Sequence, residues 1–181
     1  YWGYNNVCIL FDTAPSTYVA PIFWFFVAYL IVRFAVEDTK RLMQMKHLSL
    51  SLRRTSYGAN VFLVAVAASF SLCLAIPPQE NMVMHTSPFA ALMIAFPLIF
   101  VMHCLQDQNR KMVVVVACTS FMVVSIVKFI FTFFTLLQLQ DIGPIPGVIS
   151  RPIDLLWLLF AVSLPFIMPT PTVDPLEKNV A

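Results

Sequence analysis

Five apolar stretches, at residues 19–36, 59–76, 88–105, 112–137 and 153–168, take up most of this 181-residue chain, and the connectors between them are short. An α-helix rising 1.5 Å per residue needs about 20 apolar residues, within about 17 to 25, to cross a hydrocarbon layer about 30 Å thick. The first three stretches fit. The fourth is long enough that it must tilt, kink or run on into the interface, and the fifth is slightly short. The expected fold class is therefore all-α: a polytopic transmembrane bundle of about five spans. An outer N-terminal segment (1–18) precedes the helical domain (19–168), and an extended inner tail (169–181) follows it.

Composition agrees. Charged residues make up 11% of the chain and apolar residues 60%, whereas a soluble domain carries roughly 25% charged residues. So few charges cannot cover a water-exposed surface, and the bilayer is the natural solvent. The length suits one domain with no separate soluble unit. A formal charge of +2 gives nucleic acid no reason to bind. Cys8, Cys73, Cys104 and Cys118 form no CxxC pair, so neither a disulfide nor a metal framework is expected. No Asn-x-Ser/Thr sequon supports a glycosylated ectodomain. The chain opens on Tyr1, as a processed or trimmed protein would, and shows no cleavable leader pattern.

Punctuation marks the helix ends. Ser16 or Thr17 is placed to cap the first stretch, with Pro21 in its first turn, and Pro77-Pro78 stops the second. Thr86 or Ser87 is placed to cap the third, with Pro88 in its first turn and Pro97 as a kink; Pro165 interrupts the fifth.

The charges are asymmetric. The first connector holds Lys40, Arg41, Lys46, Arg53 and Arg54, with Arg33 just before it, and the third holds Arg110 and Lys111. The opposite side carries only Arg151. The positive-inside rule puts the basic connectors and the tail with Lys178 on the cytosolic, matrix or stromal side, with the N-terminus outside. Tyr1, Trp2, Tyr4, Tyr18, Tyr57 and Trp157 are expected as interfacial anchors. Between Lys40 and Arg54, the residues Leu42, Met45, Leu48 and Leu52 recur near helical period, which suggests an amphipathic helix lying on the inner surface. Its basic face would meet anionic headgroups or an acidic neighbouring subunit.

Few residues invite chemistry. Lys128 lies 17 residues beyond Lys111, about 25 Å along a helix and so near the outer edge of the membrane. Snorkelling to the outer headgroups is favoured over a transport or catalytic role; a specific partner is available in Asp154, and the pair would pin the fourth and fifth helices together. His103 and Asp107 share a helix face and, with Glu37 or Asp38, could approach a metal-binding set, but ordinary interfacial hydrogen bonding is the favoured reading. His85, read as part of the outer loop, and His103 are boundary histidines of the kind that ligate haem or chlorophyll, but three histidines are too few for a histidine-rich di-iron site. Seventeen phenylalanines suit lipid-facing packing, flat cofactors or partner helices, and proline-rich segments (141–152 and 168–181) form stiff connectors.

No catalytic motif stands above chance, so the expectation leans away from an enzyme. The leading expectation is a non-catalytic accessory or scaffold subunit of a larger membrane complex, in the inner or thylakoid-type membrane of a respiratory or photosynthetic organelle. Its partners would be membrane lipids and other membrane subunits. The alternative is a small carrier, channel or lipid- or pigment-binding protein, and the third is a lipid-modifying membrane enzyme.

Overall fold

The computed structural model describes residues 15–77, 80–107, 111–136 and 147–167. Among them are five α-helices and no strand: α1 Ser16–Gln44, α2 Leu50–Ala75, α3 Met82–Gln106, α4 Met112–Leu136 and α5 Gly147–Ile167. The first four are long and apolar enough to cross a membrane, which marks the chain as an integral multi-pass membrane protein. The segments 1–14 and 168–181, with Cys8, Tyr1, Trp2, Tyr4 and Lys178, lie outside the described residues, as do Arg110 and residues 137–146.

Each helix packs chiefly against its neighbours in sequence, the arrangement that short connectors impose on antiparallel helices. The centre is α3. Just over half (56%) of its most apolar window is buried, against 17% in α1. Alanines at the seams, Ala59 and Ala67 on α2 and Ala90 and Ala95 on α3, let backbones approach closely; in lipid, helix association depends on such packing because the tails are as apolar as the side chains. A row of rings crosses the bundle from α1 to α5: Trp24 on Phe70 (4.0 Å between centroids), Phe70 on Phe89 (6.3 Å), and Phe89 on Trp157 (6.1 Å). Large apolar side chains such as Phe25, Val123 and Leu159 point outward, as they would toward hydrocarbon.

Helix ends depart from the expected ones. The α1 helix starts at Ser16 after Pro15, with no side-chain cap, so Ser16 and Thr17 lie inside it. The α3 helix starts six residues earlier than expected because Asn81, not Thr86 or Ser87, is the cap; its side chain accepts from Met84 N at 3.0 Å. His85 is therefore helical rather than in a loop. Trp157 is no interfacial anchor: it is buried between α3, α4 and α5, and its indole N–H donates to Ser125 Oγ at 3.0 Å.

Nor is there a separate surface helix at 40–54. The α1 helix runs on to Gln44, and a short turn leads into α2, capped by Ser49. Lys40 pairs with Glu37 and Arg41 with Asp38 one turn earlier, which supports the extra helical turns. The apolar period there is real, but it serves a small core of its own: Leu42, Met45 and Leu48 bury one another beneath the turn, with Leu52 against them.

Gly58 sits on the exposed face of α2, where an added Cβ would meet nothing within 4 Å. Gly58→Ala is expected to stabilise the protein by about 0.4–1 kcal/mol through lower backbone entropy in the unfolded chain. A rise in the unfolding midpoint in detergent would show it; a fall would mean that the face is occupied.

Candidate functional site: two buried polar clusters

The longer α1 carries Asp38 and Arg41, one helical turn apart, against α2 and α3. Asp38 is 6% exposed. Its carboxylate accepts from Arg41, from Asn60 Nδ2 (2.8 Å) on α2, and from His103 Nε2 (3.2 Å) on α3. Arg41 also donates to Gln106 Oε1, and Gln106 Nε2 in turn donates to Ser56 Oγ at 3.0 Å. Phe34 stacks on the His103 ring, 5.6 Å between centroids. One network thus ties three helices at the basic end of the bundle. Asn60, Ser56 and Gln106 are all nearly inaccessible, and in an apolar setting such groups must be hydrogen-bonded to be tolerated. The Arg41 Nε and Asn60 Oδ1 atoms are buried without a partner.

The second cluster joins α4 to α5. Lys128 Nζ donates to Asp154 Oδ1, and the lysine is 1% exposed. The ammonium lies 5.1 Å from the centre of the Phe89 ring, on α3, where the ring face attracts a cation. Thr132, one turn on, donates to the Lys128 carbonyl at 3.0 Å. Lys128 therefore does not snorkel: it points into the bundle, where a carboxylate and a ring face replace the headgroups.

Along α3 the two clusters are some 20 Å apart, taking Phe89 and His103 as their ends. Between those ends the buried side chains of α3 include Ala95, Ile99 and Met102. The seam there is apolar.

Of the sequence candidates, His103 and Asp38 meet, whereas Asp107 caps the end of α3 with its backbone N–H on the His103 carbonyl. Glu37 faces outward with Lys40. Among the described residues no group of three or more His, Cys, Asp or Glu side chains converges to hold a metal. His85 is 2% exposed, with Nδ1 donating to the Ile76 carbonyl at 2.8 Å, which leaves Nε2 as the acceptor facing Cys73 Sγ at 4.0 Å. Both ring nitrogens are thus turned into the α2–α3 seam rather than toward a pigment in the lipid. Of the basic residues, Arg41 is drawn into the bundle, while Lys40, Lys46 and Arg54 are exposed and Arg53 is half-buried.

Sequence reasoning missed Asn60, Ser56, Gln106 and the Ser125–Trp157 bond. The signal for Asn60 was present, since it is an amide inside an apolar stretch; Gln106 and Ser56 read as connector residues because helices α3 and α2 extend past the apolar runs.

Apolar grooves of about 440 and 410 Å³ flank Trp24 on either side of the α1–α2 seam, and one of about 330 Å³ lies beside Pro97 between α3 and α4. Compared with protein-family models, curated proteins and solved structures, the chain matches none of them.

Proposed function

We propose that this protein is a non-catalytic subunit embedded in a larger membrane complex, with its helices acting as a fixed scaffold for neighbouring membrane proteins. One observation carries the proposal: the ionic groups inside the bundle are committed to one another. Asp38 pairs with the half-buried Arg41 and accepts from the half-buried His103, and Lys128 pairs with Asp154. A proton or ion pathway needs ionisable groups that face a cavity or one another in series; here some 20 Å of apolar packing along α3 separates the two sets. The outward apolar face of α1, with Phe23, Phe25, Phe26 and Tyr29 exposed, offers an aromatic surface for recognition. An energy-transducing organelle membrane, rich in multi-subunit complexes, suits such a subunit.

The test is purification from the native membrane in mild detergent. The 20.5 kDa chain is expected to run on a native gel within a much larger assembly and to leave it when Phe25 and Tyr29 are replaced by alanine. Purified chain that moves a solute across liposome membranes by itself would replace this reading.

A second reading, binding of a lipid or a flat apolar ligand, is favoured by the grooves beside Trp24. Their volumes lie within the range of small-molecule sites, about 300–1,000 Å³, and quenching of tryptophan fluorescence by a brominated lipid would report occupancy.

A further inference from the structure

The basic end of the bundle collects the C-termini of α1 and α3 and the N-termini of α2 and α4, and its cations are not equivalent. Lys40 is held by Glu37 at 3.0 Å, and Arg41 is sunk in the Asp38 network. Lys46, Arg53 and Arg54 have no carboxylate partner among the described residues, and the three fall within one stretch of nine positions at the α1–α2 turn. Arg53 folds back over that turn, donating from Nη2 to the Leu48 carbonyl at 3.4 Å, and its Nε–H has no acceptor. No acidic residue occupies the first turn of α2, so the positive end of the helix dipole adds to their field instead of being cancelled.

Beside these charges, Met43 and Leu50 are 70% and 58% exposed, and Tyr57 is exposed one turn beyond Arg53 and Arg54. Leu50, Arg53, Arg54 and Tyr57 stand three or four positions apart along α2 and so share a face, and apolar side chains on one face with cations at a helix end match a molecule with an anionic head and an acyl tail. Free phosphate would use only the charges, and an acidic protein segment would leave the apolar flank unmatched.

We propose that the α1–α2 corner binds the phosphate headgroup of an anionic phospholipid, with Lys46, Arg53 and Arg54 on the phosphate and Met43, Leu50 and Tyr57 along the glycerol and acyl chains. The site is independent of the scaffold reading and holds whether or not the chain belongs to a complex. Phosphate neutralises cations that otherwise repel one another across a short turn, and the attraction is of the order expected for basic residues near an anionic membrane surface.

The experiment is native mass spectrometry of the purified full chain in detergent, titrated with a phosphatidic acid or, separately, with a phosphatidylcholine of the same acyl chains. Wild type is expected to retain the anionic lipid at least about tenfold better, a preference that falls as salt is raised because exposed charges are screened. Lys46→Gln/Arg53→Gln/Arg54→Gln is expected to lose most of that preference, while Lys40→Gln, whose lysine is already paired, keeps it. Equal retention of the two lipids by wild type overturns the site, as does a preference that survives the triple replacement in protein with wild-type helix content. Competition by inorganic phosphate alone, or by a soluble acidic peptide and not by lipid, would assign the corner to that ligand and overturn the lipid. Should the triple variant fail to fold, the salt dependence and lipid preference of wild type still decide.

Discussion

Asp154→Ala is expected to be among the most damaging single replacements in the bundle, costing about 3–5 kcal/mol, because it strands the Lys128 ammonium in a buried site with only a ring face beside it. Lys128→Ala should cost less, since Asp154 is slightly more accessible and can take up a proton. The double change Lys128→Met/Asp154→Leu is expected to recover most of the loss: attraction between buried charges roughly offsets their desolvation, so an apolar pair of similar volume serves nearly as well. Unfolding midpoints in one detergent, arranged as a double-mutant cycle, measure this. Additive losses would mean that the two residues do not depend on each other. Exchanging the charges, Lys128→Asp with Asp154→Lys, should restore assembly that either reversal alone abolishes, provided that the longer side chain finds room on α5.

Asp38→Ala is expected to cost a comparable amount, about 3–5 kcal/mol, because one carboxylate is the acceptor for Arg41, Asn60 and His103 together. Its loss leaves a half-buried guanidinium and a buried amide without their main partner, at the point where α1 is tied to both α2 and α3. Arg41→Ala should be milder, since Asn60 and His103 remain on the carboxylate while Gln106 keeps Ser56. The double variant should lie close to Asp38→Ala alone, because the two side chains act as one unit. Protease accessibility of the α1–α2 turn offers an independent readout: detachment of α1 exposes it, whereas intact packing protects it. If Asp38→Ala unfolds at the wild-type midpoint, the network does not hold α1.

Lys128 and Asp154 could be named from sequence because both interrupt or open apolar runs, and a charge in such a place must find a partner. The inner network was less legible. Asp38 and Arg41 looked like connector charges because the apolar stretch ends at Val36, yet α1 continues to Gln44. Hydropathy marks where hydrocarbon ends, not where the helix ends. Asn81 is hard to read as a cap because the proline at 88 marks a plausible helix start further downstream. The period in Leu42, Met45 and Leu48 was seen, but period alone does not say whether a face meets lipid or another helix.

What the amino-acid order determined by itself was the solvent, the helical class and the approximate places of the helices, since each follows from local hydropathy and from the length needed to cross hydrocarbon. Tertiary structure alone decided which face of each helix turns inward. In water, burial sorts apolar from polar residues and leaves a readable stripe; in lipid an apolar side chain is nearly as well placed outside as inside. The inward faces were chosen by close-packing alanines, by a row of aromatic rings and by polar groups that could satisfy only one another, and those choices arise between helices rather than along the chain.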